Sequence, residues 1–237
     1  MTNPYFGWGK FKDMDQDYFS YIDTLAEMNI DAKELIFQFP VFVGHVNLGR
    51  YLFFYDLYKK VMNLNGHIAD VGTYKGASFL FFSKLIRLFE SYATTQVHGF
   101  DWFKGMNPSE DDDPLQKDRY IGDFETLSKW IELQQLKDIS IVHKMDVTQE
   151  LDGFLQQNRH LRFKIVFIDC GVAGVIEKSL ECLWPRLVNG GILIMDHFNC
   201  EVSPAESILL DKFIGNQFVR QMPFNRQPTC YVIKEQV

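Results

Sequence analysis

His67-Ile68-Ala69-Asp70-Val71-Gly72-Thr73-Tyr74-Lys75-Gly76-Ala77-Ser78 decides the fold. An apolar strand over 67–71 runs into a turn carrying two glycines, and a strongly amphipathic helix follows over 77–92. About one strand later, Val97-His98-Gly99-Phe100-Asp101 is an apolar run that ends in an acid. Glycine lets the backbone pass close to a bound group, and a helix N-terminus offers N–H groups that have no partner inside the helix. An acid at the end of the second strand can take both hydroxyls of a ribose. Together these features read as a nucleoside-binding turn in an α/β fold.

Outward from this stretch, strands and helices alternate. Further strands are predicted over 96–101, 140–143, 164–169 and 192–196, the last entered through a Gly190-Gly191 turn. Helices are predicted over 123–136, 149–158, 174–187 and 204–215, with a long polar loop over 102–122. Strands near 217–223 and 229–234 close the chain as a hairpin. Upstream, 15–28 has a helical pattern and Pro40 breaks the chain. A long helix over 46–64 places Leu48, Leu52, Tyr55, Leu57 and Val61 near helical spacing, and Asn65-Gly66 ends it. Fully apolar strands alternating with helices imply a Rossmann-like, doubly wound α/β fold. The expected sheet is mostly parallel and seven-stranded, with a C-terminal antiparallel hairpin. Residues 1–64 are expected to form a helical extension packed on a core of 65–237, one compact domain overall.

Composition narrows the function. The chain has 237 residues, 46% of them apolar, enough for a full core. A net charge of −7 and a pI near 5.4 leave no basic stripe for phosphates, so a nucleic-acid partner is not expected. Cys170, Cys182, Cys200 and Cys230 have no CxxC spacing, so zinc is unsupported. Free thiols, no apolar leader and no membrane-length apolar run point to the cytoplasm, with no membrane partner.

The glycine spacing discriminates between nucleoside cofactors. A dinucleotide fingerprint beginning at Gly72 needs glycines where the chain has Tyr74 and Ala77, and Tyr74 would block the close pyrophosphate approach. A nicotinamide dehydrogenase is therefore disfavoured. Asp70-x-Gly72-x-x-x-Gly76 instead matches the first motif of class I S-adenosylmethionine (SAM) methyltransferases. The candidate SAM-binding residues are Asp70, Gly72, Thr73, Tyr74, Gly76, Ser78, Asp101, Trp102, Asp146 and Asp169. Asp101 would take the ribose. Trp102 either packs on the adenosine, walls the substrate site or belongs to the core. Asp146 either accepts from the adenine amino group or is a plain turn aspartate.

Asp169 and Asp196 each end an apolar strand, at the sheet edge where ligands of open α/β folds lie. With His197 they form a candidate Mg²⁺ site that could bind a substrate hydroxyl and lower its pKa. The alternative is that strand-ending acids cap the next helices. His197 is a general base, a metal ligand or a polar loop residue. Asp169 and His197 are the candidate catalytic residues.

Several separate segments resemble the macrocin (TylF-like) O-methyltransferases, many described as dTDP-6-deoxyhexose 3-O-methyltransferases. They are Phe42 to Arg50, Asp56 to Lys60, Gly66 to Gly72, Gly99 to Gly105, Trp184 to Leu187 with Gly190-Gly191 and Met195-Asp196, and Met222-Pro223-Phe224 with Tyr231-Val232-Ile233. The resemblance covers about residues 40–235. It implies a class I methyltransferase fold, a SAM-dependent reaction assisted by Mg²⁺, a sugar or nucleotide-sugar acceptor and a homodimer. The family's metal ligands are an acid after the fourth strand and two adjacent acids after the fifth. Asp169 and Asp196 match two of these, and His197 stands at the third. The family's D-x-D-L-Y-E-P-T segment reads Asp169-Cys170-Gly171-Val172-Ala173-Gly174-Val175-Ile176 here, without the second acid and the tyrosine. The expected function is SAM-dependent O-methylation of a sugar, nucleotide-linked sugar or related small metabolite. The altered loop motivates an alternative, a non-catalytic SAM- or nucleoside-binding protein acting as an assembly partner.

Overall fold

A computed structural model describes residues 9–109, 112, 116–201, 203–215 and 219–235. Six strands, β1 (His67–Val71), β2 (Val97–Asp101), β3 (Ser140–Lys144), β4 (Phe163–Ile168), β5 (Leu187–Met195) and β6 (Cys230–Ile233), form one sheet in the order β3-β2-β1-β4-β5-β6. The first five run parallel and β6 is antiparallel to β5. Helices α1 (Lys12–Glu27), α2 (Ala32–Phe37), α3 (Phe39–Phe42) and α4 (His45–Val61) precede the sheet. Then α5 (Ala77–Phe89), α6 (Phe124–Leu133), α7 (Val147–Gln157), α8 (Ala173–Leu183) and α9 (Pro204–Phe213) alternate with the strands.

Both faces of the sheet are covered, which is why its central strands are apolar throughout. On one face, Phe53, Phe54 and Leu57 of α4 and Phe79, Phe82 and Ile86 of α5 pack on Ile68, Ile165, Phe167 and Ile194. On the other, Leu151 of α7, Ile176 and Leu180 of α8 and Leu210 of α9 pack on Val71, Val166, Ile168 and Leu193. Helix α4 thus supplies part of one layer of the core. Further upstream, Asp15 of α1 pairs with Arg226, and the Tyr18 ring lies against Gly44.

The chain winds one way from β1 to β3 and the other way from β4 to β5. The order reverses between β1 and β4, so the switch point, beside which ligands of open α/β sheets lie, falls at their carboxyl ends.

Four expectations need correction. The seventh strand does not form among the described residues. Part of 217–223 lies outside them, and Arg220 makes an isolated antiparallel bridge to Tyr231 on the outer edge of β6. Pro223, which has no N–H to give, stands three residues on. Gly190-Gly191 is not a turn before β5 but an irregularity within it, where the register against β4 shifts and Gly190 has φ +77°. Pro40 does not break structure; it sits in the first turn of α3, where its missing N–H costs nothing. In α4 the buried side is Gly49, Phe53, Phe54, Leu57, Tyr58 and Val61, while Leu48 and Leu52 face outward.

Candidate active site

The residues singled out from the sequence converge at the carboxyl edge of the sheet in two groups. The first surrounds the turn after β1. Gly72 has φ +84°, and a Cβ there would lie 2.0 Å from the carbonyl oxygen of Asp169. Only glycine lets the ends of β1 and β4 approach this closely. Gly76, at φ +85°, is the N-cap of α5, whose first turn receives no side-chain cap. Tyr74 lies between them in the left-handed region, with φ +52°.

Asp101 ties this turn to the next loop. Its Oδ2 accepts from the Tyr74 N–H at 2.7 Å and its Oδ1 from the Phe103 N–H at 2.6 Å. Burial raises its pKa, and these backbone donors oppose the rise. Asp70 is fully buried and neither of its oxygens has a hydrogen-bond partner. Burial pushes its pKa up to about 6 against the influence of the Ser78 and Thr73 hydroxyls and the Arg50 charge. Thr73 Oγ1 donates to the Asp70 carbonyl at 3.1 Å.

A buried carboxylate with only the Ser78 and Thr73 hydroxyls near it is what a ligand's ammonium or N–H group would satisfy. Beside it stand an uncapped helix N-terminus suited to a carboxylate and a half-exposed acid suited to a ribose. This set fits the amino-acid and nucleoside ends of SAM. Trp102 donates its indole N–H to the Gly105 carbonyl at 2.6 Å, which fixes its ring in the loop after β2. Asp146 is the N-cap of α7, with Oδ1 accepting from the Thr148 N–H at 2.9 Å and its hydroxyl at 2.7 Å. That is the turn role left open for it from the sequence.

The second group follows β4 and β5. Asp169, Asp196 and His197 come together so that one ligand atom from each lies within 4.8 Å of the others. Three residues not singled out from the sequence complete the cluster. Arg50, from α4, donates from Nη2 to Asp169 Oδ2 and from Nη1 to Asp196 Oδ1, both at 2.8 Å. Gln227 donates to Asp196 Oδ2, and its Nε2 lies 3.0 Å from His197 Nε2. Glu206, fully buried on α9, accepts from the His197 N–H at 2.7 Å and lies 3.4 Å from its Nδ1. The imidazole of His197 is therefore enclosed by protein groups.

The electrostatics follow from this packing. Burial and the neighbouring Asp196 push the Asp169 carboxyl up to about 8. Asp196 is held below the usual carboxylate range; burial works against this, and Arg50, His197 and Gln227 prevail. Burial alone would lower the His197 pKa, but Asp196 and Glu206 lift it to about 9. Burial raises Glu206. Two cations thus stand among three acids, Asp196 and Glu206 fully buried and Asp169 partly exposed.

Two carboxylates and an imidazole at this spacing have the outline of a cation site. Their lone pairs, however, face donors of the protein: Asp196 accepts at both oxygens, and Asp169 is held by the same guanidinium. An imidazole is also a poor partner for Mg²⁺, which prefers oxygen. As arranged, the set does not fit a hydrated Mg²⁺.

Arg50 and Glu206 left a faint trace in the sequence. Arg50 precedes Phe53, Phe54 and Leu57 by three, four and seven positions, which puts it on the buried side of α4. Glu206 precedes the buried Leu210 by four. A charged residue on an apolar helix face is a pointer to a buried partner.

With this geometry in place, comparison assigns the class. Residues 69–198 match the family described as a methyltransferase domain, and the chain belongs to that family. Its fold is that of the class I SAM-dependent methyltransferases. CalS11, a calicheamicin methyltransferase, has a similar structure, with a TM-score of 0.82 at 21% identity, covering 93% of this chain and 92% of that one. An apo structure of CalS11, described as a TDP-rhamnose 3'-O-methyltransferase, gives 0.72 at 20% identity, covering 93% and 94%. The O-methyltransferase NovP gives 0.63 at 15% identity, covering 79% and 80%. At these identities the likeness is one of fold. No curated protein matches the chain. Among the described residues no helix is long and apolar enough to cross a membrane.

Proposed function

We propose that this protein transfers a methyl group from SAM to a hydroxyl of a sugar, a nucleotide-linked sugar or a related small metabolite. The observation that carries this reading is the contact at the switch point. Gly72, in the SAM motif, lies directly against the Asp169 carbonyl, so a cofactor held by the first group has the second group beside it. The descriptions of CalS11 and NovP support an oxygen acceptor.

In this reading Asp70 meets the cofactor's ammonium, and the Gly72–Gly76 turn, with Thr73, Tyr74 and Ser78, faces its methionine part. Asp101 takes the ribose, Trp102 walls the adenosine, and the free lone pairs of Asp146 face the adenine. Bound SAM supplies a methyl group already activated on a sulfonium, so the protein's task is to align an oxygen with it. Asp169 is the carboxylate an acceptor can reach, with its side chain 31% exposed against 0% for Asp196. It is the group that takes the hydroxyl proton, while Asp196 holds the guanidinium in place.

Calorimetric titration with SAM tests the reading, together with a panel of nucleotide sugars and labelled SAM. SAM is expected to bind, and Asp101→Ala to weaken binding about a hundredfold, the equivalent of two charge-assisted hydrogen bonds at the low end of their range. No SAM binding by the wild-type protein would overturn the reading. Binding without turnover of any acceptor would favour the non-catalytic alternative.

A further inference from the structure

We propose that Arg50 occupies the cation position of this site, so that the protein works without a divalent metal. The inference rests on reading the cluster as the acceptor side of a methyl-transfer site. It is carried by which atoms already pair. Asp169 Oδ2 and Asp196 Oδ1 are each 2.8 Å from a different terminal nitrogen of one guanidinium. The remaining oxygen of Asp196 accepts from Gln227, whose Nε2 also lies 3.0 Å from His197 Nε2. An ion bridging these ligands would have to displace two protein donors and sit beside a fixed positive charge.

Arg50 is not free to swing away. Its guanidinium carbon lies 5.3 Å from the centre of the Phe54 ring and 5.5 Å from that of Phe167. Those two rings are fully buried and pack on each other edge to face, with centroids 5.1 Å apart. A planar guanidinium suits this slot: it stacks on aromatic rings and reaches two carboxylates from one rigid fork. Two further differences agree. His197 stands where a second adjacent acid would complete an oxygen set, and the stretch Cys170–Ile176 contains no acid. Both leave the site with fewer acids to hold a divalent ion. Only two of the five guanidinium N–H groups make these bonds, and the side chain is 21% exposed, so Arg50 can also present an N–H to an acceptor oxygen.

The test uses Mn²⁺ as the probe, read by paramagnetic relaxation of water protons and by the thermal unfolding midpoint. SAM affinity is measured in parallel by calorimetry. The wild-type protein is expected to bind no Mn²⁺, to show no rise in midpoint with Mn²⁺, and to keep its rate in EDTA. Arg50→Met removes the charge but keeps the apolar bulk. It is expected to gain Mn²⁺ binding and a midpoint that rises with Mn²⁺ concentration. Arg50→Lys, which keeps one charge but not the fork, is expected to stay insensitive to Mn²⁺. Stoichiometric Mn²⁺ binding by the wild type, or loss of its activity in EDTA, would overturn the proposal whether or not Arg50→Met folds. So would a folded Arg50→Met protein that ignores Mn²⁺. Failure of SAM to bind would instead count against the proposed function, because the metal measurements do not depend on it.

Discussion

Arg50 and Asp196 stand 146 positions apart in the chain, and their side chains meet at 2.8 Å. Asp196 is fully buried, and its other oxygen is also taken. Removing it leaves a guanidinium and the raised His197 imidazole facing only Asp169 and Glu206. Breaking a buried charge pair from one side costs about 3–5 kcal/mol, because the survivor stays buried without its partner. Asp196→Ala is expected to lose that much stability in urea unfolding. Asp169→Ala should lose less, since the Asp169 side chain is 31% exposed and water can replace it. An Asp169 variant less stable than the Asp196 variant would contradict this ranking.

At the opposite edge of the sheet, Lys164 and Glu90 form a second buried pair. Lys164 is fully buried at the start of β4, and its Nζ donates to both Glu90 oxygens, at 2.8 and 2.7 Å. Tyr58 and Thr95 donate to the same carboxylate at 2.5 and 2.6 Å. Burial lowers the Lys164 pKa, and Glu90 works against it. This network lies at the opposite end of β4 from the candidate active site, so it bears on stability alone. Lys164→Met is expected to cost about 3–5 kcal/mol, and the double variant Lys164→Met/Glu90→Gln to recover part of that, because no charge is then left unpaired. Urea denaturation of both, with SAM affinity unchanged in each, checks it. A double variant no more stable than the single one would refute the pairing argument.

The parallel strands were legible because strands buried on both sides are uninterrupted apolar runs, and β1, β2 and β4 lie within a residue of their predicted spans. The acids that end them were legible for the same reason: a charge after such a run marks the sheet edge. The phase of α4 was not. This helix carries apolar residues on several sides, so its pattern offers Leu48 and Leu52 as a core face as readily as Phe53 and Phe54. A face drawn through Leu48 and Leu52 leaves out Arg50, which shares the face of Phe53 and Phe54. No local pattern marks its partners, because Asp169 and Asp196 arrive from strands more than a hundred residues away. Helices α2 and α3 bury no residue, so their apolar side chains carried no core signal.

Acid should destabilise the protein through two histidines that belong to neither site group. His98 of β2 and His143 of β3 stack with rings 5.2 Å apart, and Nδ1 of the first lies 3.0 Å from Nε2 of the second. Burial and the neighbouring His143 lower the His98 pKa to about 3, and burial lowers that of His143 to about 4. Both are therefore neutral when folded, whereas an unfolded histidine charges below about pH 6.5. Below that pH the unfolded chain binds more protons, so stability is whole above it and falls as the pH drops toward 4. By linkage each histidine removes about 2 kcal/mol at pH 5. His98→Leu is expected to show a shallower decline between pH 7 and 5, measured as the urea midpoint at each pH. A variant whose decline is as steep as that of the wild type would show that His98 is not the titrating group. The effect is separable from the candidate active site, where Asp169 and Glu206 have raised pKa values and push stability the opposite way as pH falls.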